Sequence, residues 1–412
     1  MRSLRRVVIT GLGAVSPFGR GVPALMAALY SGQSAVRQVP ELERIGGLRT
    51  RVAALVQGID PREIPRKDRR SMSAMSVYAT LASHEALAQA GIGKPDLEGG
   101  RLGVAIGSTV GSTQTTEDFF RDFFTDSSLE RMKSTLFFQI MNHSCAANVV
   151  QALGITGRLL APSAACSTGC QAVGYGYEQV ALGRQDFMLC GGADEFHPLT
   201  AATFDVMTAA SIGFNDQPQQ TPRPFDLRRD GMVCAEGGGI ILLEALESAL
   251  SRSAVILGEV TGFATVSDPS SIANPNAAAM ERCMRETLED AELGPEEIDY
   301  INAHATATTQ GDIAEAEAIG AIFGATVPVS SLKGHMGHTM AASGALEMLA
   351  SIEMLRQGRL VPTLNLDEID PACAGIRHVR ATESSRMRAF MKNNFALGGV
   401  NSSIVVRRYP HD

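Results

Sequence analysis

The sequence predicts an α/β protein built from two similar halves, and three observations carry that prediction. Short apolar runs that end in glycine alternate with stretches of helical periodicity. The same strand–loop–helix style recurs on both sides of residue 250, and 412 residues exceed what one hydrophobic core usually organises. Taken in order, Val7–Thr10 reads as a buried strand running into Gly11-Leu12-Gly13, and helices are expected over 23–31 and 72–90. Leu102–Gly107 is the next strand, and Asp186–Cys190 is another, closed by a Gly-Gly pair. Between them, after Gly169, the apolar residues Val173, Tyr177, Val180 and Ala181 fall at i, i+4, i+7 and i+8, one face of a helix. Gly239–Leu246 is a strand, and Ala254–Ser267 is a long strand candidate that opens the second half. There follow a helix over 277–292, the strand Ile298–Ile301, a helix over 311–323, the strand Val327–Ser330, a helix over 339–356 and the strand Ser403–Val406. The division is placed between 1–250 and 251–412, as a tight junction rather than a linker, with function expected at strand ends.

Composition narrows the class. Hydrophobic residues make up 45% and charged residues 19%, a globular balance with ample core. The net charge of −8 argues against general nucleic-acid binding. Seven cysteines are scattered without a CxxC pair, so neither a zinc ribbon nor a disulfide framework is expected, and the reduced cytoplasm is the expected compartment. No apolar run approaches membrane-spanning length, and the basic opening Met1–Arg6 leads into a strand rather than a signal-peptide core.

Several motifs carry chemistry. Gly11-Leu12-Gly13 resembles the start of a dinucleotide fingerprint, but Ser16 stands where a third glycine belongs and Pro17 interrupts the helix, so a turn or packing role is preferred. Cys166, in Ala164-Ala165-Cys166-Ser167-Thr168-Gly169, lies where a strand hands over to a helix. A thiol at a helix N-terminus feels the positive end of the dipole, which favours thiolate, and the N–H groups there can receive an oxyanion. The competing reading is a buried inert cysteine, which position alone favours. Cys170, one turn on, reads as packing. His304, in Asn302-Ala303-His304-Ala305-Thr306, and His338, in Lys333-Gly334-His335-Met336-Gly337-His338, occupy matching small-residue loops. A metal reading of His335 and His338 lacks a third ligand, so proton and hydrogen-bond chemistry is preferred. The loop Arg223–Gly231 reads as an ion-paired structural turn. Arg66-Lys67-Asp68-Arg69-Arg70 is a basic cluster in an acidic chain, either a solvated face or a docking patch for an acidic partner.

Together these motifs resemble the β-ketoacyl-acyl carrier protein synthases of the KAS I/II class, within the thiolase-like condensing enzymes. The resemblance covers essentially the whole chain: Val8–Gly13, Ala165-Cys166-Ser167, the loop 223–231, Asn302-Ala303-His304, Lys333–His338 and Asn394–Asn401, in the family's order and spacing. It implies a thiolase-like fold, two duplicated α/β halves in a five-layered αβαβα arrangement, with the nucleophile in the first half and both histidines in the second. It further implies that Cys166 is acylated, that His304 and His338 donate to the thioester oxygen of malonyl-carrier as CO₂ leaves, and that Lys333 supports the histidines electrostatically with Glu315 as its ionic partner. Thr306 and Thr308 resemble the pair that holds the phosphopantetheine amides. The N–H groups of Cys166 and Leu397 would form an oxyanion hole, with Phe395 and Gly398 beside it and Val110 lining the acyl pocket. Arg66, Lys67 and Arg70, with Arg131 and Lys133, resemble the carrier-docking surface.

The implied activity is that of a 3-oxoacyl-carrier synthase: acyl transfer to Cys166, then decarboxylative condensation with malonyl-carrier. The implied partners are an acyl carrier protein and a second subunit, as a homodimer or a heterodimer with a related chain; no metal, nucleotide or flavin is required. Some positions depart from the family. Ala305 replaces a glycine, Thr309 a proline, and Leu397 the phenylalanine of the C-terminal gate. Two alternatives therefore stand beside fatty acid synthesis: a specialised polyketide or aryl-polyene ketosynthase, and a non-catalytic partner like a chain-length subunit, against which Cys166 speaks.

Overall fold

The computed structural model describes residues 4–130 and 132–410. Nine strands of three or more residues form its framework: β1 (Val7–Ser16), β2 (Leu102–Gly107), β3 (Phe187–Asp194), β4 (Gly237–Ala245), β5 (Gly258–Ser267), β6 (Tyr300–Asn302), β7 (Pro328–Ser330), β8 (Ala389–Ala396) and β9 (Val400–Arg407). Seven helices matter for the site: α1 (Ala74–Ala90), α2 (Thr113–Asp126), α3 (Ser144–Leu153), α4 (Thr168–Ala181), α5 (Ala277–Asp290), α6 (Thr309–Phe323) and α7 (Ser343–Gln357).

The strands run in the order β7-β6-β8-β9-β5-β1-β4-β3-β2. Each half repeats one plan. β1 pairs antiparallel with β4, β4 with β3, and β3 runs parallel to β2. Likewise β5 pairs antiparallel with β9, β9 with β8, and β8 runs parallel to β6. The halves join where Val7–Ile9 of β1 pair with Gly258–Val260 of β5.

Three apolar cores fill the spaces between five layers, the central one reaching the strands of both halves. One lies between α1 and α3 and the first-half strands, around Ala82, Ala86, Val149, Val104 and Leu189. A central core joins both halves through α4 and α7, around Val173, Val180, Leu346 and Leu349. The third packs α5 and α6 on the second-half strands, around Met284, Leu288, Ile319 and Met391. The arrangement is αβαβα, as the resemblance implied. Gly11 and Gly13 serve packing: a Cβ there would meet the α1 carbonyls of Ala86 and Ala82 at 2.1 and 1.9 Å.

Boundaries moved where periodicity was weak. The second half opens with β5 at Gly258 rather than Ala254, and the helix expected from 339 begins with a single 3₁₀ turn, Met340–Ala342, before α7. β8 was not anticipated. Its sequence, Ala-Phe-Met-Lys-Asn-Asn-Phe-Ala, breaks the apolar pattern, yet Lys392, Asn393 and Asn394 are fully buried with partners. Among the described residues, no helix is long and apolar enough to cross a membrane.

Candidate active site

The nucleophile candidate sits in a strained turn. Ala165 holds φ at 47°, a left-handed conformation that costs an L-residue about 1–2 kcal/mol, and Ala165–Ser167 form one 3₁₀ turn ahead of α4. The turn is fixed by Ser167, whose hydroxyl bonds the carbonyl oxygens of Asn394 and Val400 at 2.9 Å each, and by Thr168, whose Oγ1 accepts the N–H of Ala164 at 2.8 Å. Close passage of the two central helices brings the halves together here. A Cβ on Gly169 would meet the carbonyl oxygen of Ala341 at 2.5 Å, and one on Gly344 would meet the N–H nitrogen of Cys170 at 2.4 Å.

Cys166 Sγ and a ring nitrogen from each of His304 and His338 lie within 4.8 Å of one another, all three residues buried. The two imidazoles meet edge to face, centroids 5.4 Å apart, and Phe395 stands edge-on to His304 at 6.4 Å. Among the described residues, neither ring nitrogen of His338 has a hydrogen-bond partner. Asn394 Nδ2 donates to the carbonyl oxygen of Cys166 at 3.1 Å and to Ser343 Oγ at 3.2 Å, and it faces His304 Nδ1 at 3.5 Å.

Burial sets the protonation states. It holds His304 well below the ordinary imidazole range and His338 at about 3, with Lys333 adding to both shifts. Both rings are therefore neutral, each with one N–H to offer. Burial also pushes the Cys166 thiol up to about 11, against opposing pulls from Lys333 and from the N–H groups of Leu397 and Cys166 itself. The expected dipole-stabilised thiolate is thus corrected. A single turn and two N–H groups do not offset the loss of water around the sulfur. Those same N–H groups lie close enough to the sulfur to pull its pKa down, the position from which an oxyanion would be held.

The expected partner of Lys333 is corrected too. Lys333 Nζ lies 2.8 Å from Oε1 and 3.0 Å from Oε2 of Glu347, on α7, and all these groups are fully buried. Glu315 instead accepts the backbone N–H of His304 at 2.8 Å and of Ala305 at 2.6 Å, pinning the histidine loop. The carboxylate reaches two adjacent N–H groups from its own side of the loop, and a bidentate carboxylate already lies on Lys333.

A cleft of about 500 Å³ opens onto Cys166, His304 and His338, bordered by Thr306, Thr308, Phe395 and Leu397. Ala307, at φ 70°, holds the Thr306 and Thr308 hydroxyls 3.1 Å apart. Gly398 does not line the cleft; its N–H bonds the carbonyl oxygen of Ile272 at 2.8 Å, tying the Leu397 turn to the loop after β5. Val110 also falls outside the lining and is about half exposed, because its chain leaves β2 for the surface ahead of Gly111, where φ is 72°. Arg66, Lys67, Arg70 and Lys133 are exposed, whereas Arg131 lies outside the described residues. His335 is no ligand candidate, since its ring nitrogens face the carbonyl oxygens of Gln33 and Pro362 at 3.1 and 3.0 Å. Arg223 and Asp226 form the buried ion pair expected of their loop. The sequence reading missed Glu347, Lys392 and Asn394; a lone carboxylate in the apolar stretch Ala345-Leu346-Glu347-Met348-Leu349 was the available signal.

Comparison with known proteins identifies the family. Residues 4–249 match the family model described as beta-ketoacyl synthase, N-terminal domain, and residues 257–367 match the corresponding C-terminal domain. The chain is 33% identical over 408 residues to a 3-oxoacyl-acyl-carrier-protein synthase 1 of Haemophilus influenzae, covering 98% of this chain and 100% of that one. A crystal structure of a beta-ketoacyl synthase from Burkholderia phymatum superposes with a TM-score of 0.94 at 42% identity, over 98% of this chain and 99% of that one. A ketosynthase of a type II polyketide system, solved with its acyl-carrier protein and bound to a hexaketide, gives a TM-score of 0.91 at 29% identity, over 98% of this chain and 99% of that one.

Proposed function

The chain belongs to the β-ketoacyl synthase family, a condensing acyltransferase, and from that premise we propose how its own residues perform the reaction. Residues 1–250 supply the nucleophile and 251–412 the histidine pair. In the first stage Cys166 Sγ attacks the thioester of an acyl-carrier. The thiol proton passes through a neighbouring imidazole to the departing phosphopantetheine sulfur, and the N–H groups of Cys166 and Leu397 hold the tetrahedral oxygen.

In the second stage malonyl-carrier enters, its pantetheine amides held by Thr306 and Thr308. Loss of CO₂ leaves an electron pair delocalised onto the thioester oxygen, where the N–H groups of His304 and His338 receive it. The enolate carbon attacks the acyl-Cys166 carbonyl, the C–S bond breaks, the Cys166 thiolate so released takes a proton from water, and a 3-oxoacyl-carrier two carbons longer departs. No group beyond the carrier's own phosphopantetheine is needed for these steps. Holding acyl-cysteine and carbanion together makes the bond-forming step unimolecular.

One observation carries the reading: a buried thiol and two buried imidazoles, with Sγ and ring nitrogens within 4.8 Å, lining one cleft. An acyl carrier protein docking through Arg66, Lys67, Arg70 and Lys133, in a homodimer, completes it. The exposed Phe120, Phe124 and Leu159 offer apolar surface for the second subunit. Leu397 at the gate, with the likeness to a polyketide ketosynthase, favours a specialised polyketide pathway as the second reading. Intact-protein mass after incubation with acyl-carriers tests the proposal: one acyl group on Cys166, none on Cys166→Ala. Acylation at a different cysteine would refute it. A panel of acyl lengths distinguishes the two pathways.

A further inference from the structure

β8 and α7 present matching faces to the site. Lys392 and Asn394, two apart on β8, point to the same side of the strand, while Ser343 and Glu347, four apart on α7, share one side of the helix. Asn394 meets Ser343 at 3.2 Å, and Lys392 Nζ meets Glu347 Oε2 at 2.8 Å and the carbonyl oxygen of Asn393 at 2.5 Å. Glu347 is thereby held between two ammonium groups, Lys333 on one side and Lys392 on the other, all three fully buried. Only Lys333 has a place in the reaction so far.

We propose that Lys392 is a positioning residue for the condensation step, acting through Glu347 and Lys333 to keep the enclosure behind His304 and His338 from becoming net negative. The charged groups behind the histidines are two ammoniums, Lys333 and Lys392, and two carboxylates, Glu347 and Glu315. With both ammoniums present they balance. Without Lys392 a carboxylate is left over, beside the place where an enolate must form. A buried charge of that sign opposes the developing anion and draws protons onto the imidazoles.

The surrounding charges agree in sign. Lys333 and Lys392 both push His304 and His338 down, and both lower Glu347 and Glu315. On the other side of the histidines stand the Cys166 thiol, which responds to Lys333 and Asp194, and the neighbouring Cys234 thiol. Lys392 therefore reaches Cys166 only at second hand, through Glu347 and Lys333, and acyl loading should feel its loss less than condensation.

This inference rests on the histidine roles proposed above, so its test has one readout independent of turnover. Lys392→Met replaces the ammonium with an apolar chain of similar length, and Lys392→Gln serves if the first variant fails to fold. In ¹⁵N-histidine spectra of the intact protein, titrated from pH 8 down to the acid limit of the fold, we expect two imidazole signals to titrate at higher pH than in the unaltered chain. CO₂ release from malonyl-carrier should fall tenfold or more, most steeply at acid pH, while acyl loading of Cys166 falls by a smaller factor. Unmoved imidazole titrations would overturn the proposal, as would CO₂ release and loading that fall together. Failure of the unaltered protein to release CO₂ would instead refute the proposed function, with the imidazole titration still deciding the role of Lys392.

Discussion

Replacing Glu315 tests the corrected geometry most directly. Its carboxylate is buried and accepts two adjacent N–H groups, those of His304 and Ala305, at 2.8 and 2.6 Å. Glu315→Ala leaves both donors buried and unpaired, at about 1–3 kcal/mol each, so roughly 2–6 kcal/mol of stability is lost. Glu315→Gln keeps one acceptor and turns an NH₂ group against the second donor, for a loss of about 1–3 kcal/mol. Freed from its anchor, the loop lets His304 drift, and a displacement of about 1 Å at a reacting group costs on the order of 10²-fold in rate. Thermal unfolding and CO₂ release from malonyl-carrier, measured on both variants, give the two numbers. A double-mutant cycle adds specificity: strong coupling should join Lys333 to Glu347, with much weaker coupling between Lys333 and Glu315. Native stability and native CO₂ release in Glu315→Gln would refute the anchoring role. Strong Lys333–Glu315 coupling would restore the ion pair that the resemblance implied.

Two further outcomes follow from the charges. Burial raises the Cys166 thiol to about 11, so at pH 8 only about 10⁻³ of it is thiolate; alkylation of Cys166, read by peptide mass, should rise about tenfold per pH unit from 7 to 10, and a plateau below pH 9 would contradict this. Lys67→Glu combined with Arg70→Glu should raise KM for carrier several-fold at low salt, with the effect shrinking as salt is added, and an unchanged KM removes this patch from the docking surface.

The paired architecture was legible because it is written in local signals. Apolar runs closed by glycine marked β2 and β3, a run opened by glycine marked β4, and the Val173–Ala181 stripe marked α4. Cys166, His304 and His338 were legible as residues in matching loops, though only their resemblance to a known family joined them into one site. What escaped was whatever depends on partners distant in sequence. Lys392, Asn393 and Asn394 break the apolar pattern of β8, and all three are fully buried, because Glu347, Ser403 and Ser343 arrive from elsewhere in the chain to satisfy them. Glu315 was assigned to Lys333 by analogy, and only coordinates could show that its carboxylate is taken by two backbone donors. The thiol misled for a related reason. A helix dipole is visible in a sequence, whereas the depth at which the sulfur is buried is not.

That depth suits the chemistry better than the expected thiolate would. A thiolate–imidazolium pair would place an acidic N–H cation within reach of a carbanion at the moment CO₂ departs, and proton transfer to carbon would compete with bond formation. Removing water raises the thiol and lowers both imidazoles by the same physical cause, disfavour of the charged form. The resting centre therefore holds hydrogen-bond donors without a strong acid. Negative charge appears only when the malonyl group supplies it, and it meets two neutral N–H groups already in place, with buried ammoniums behind them. The constraint then extends to the acyl group: a substituent that admits water to the cleft would stabilise the imidazolium and divert the enolate to protonation. Phe395 and Leu397 border the cleft beside the buried thiol and imidazoles, the apolar surround that excluding water requires.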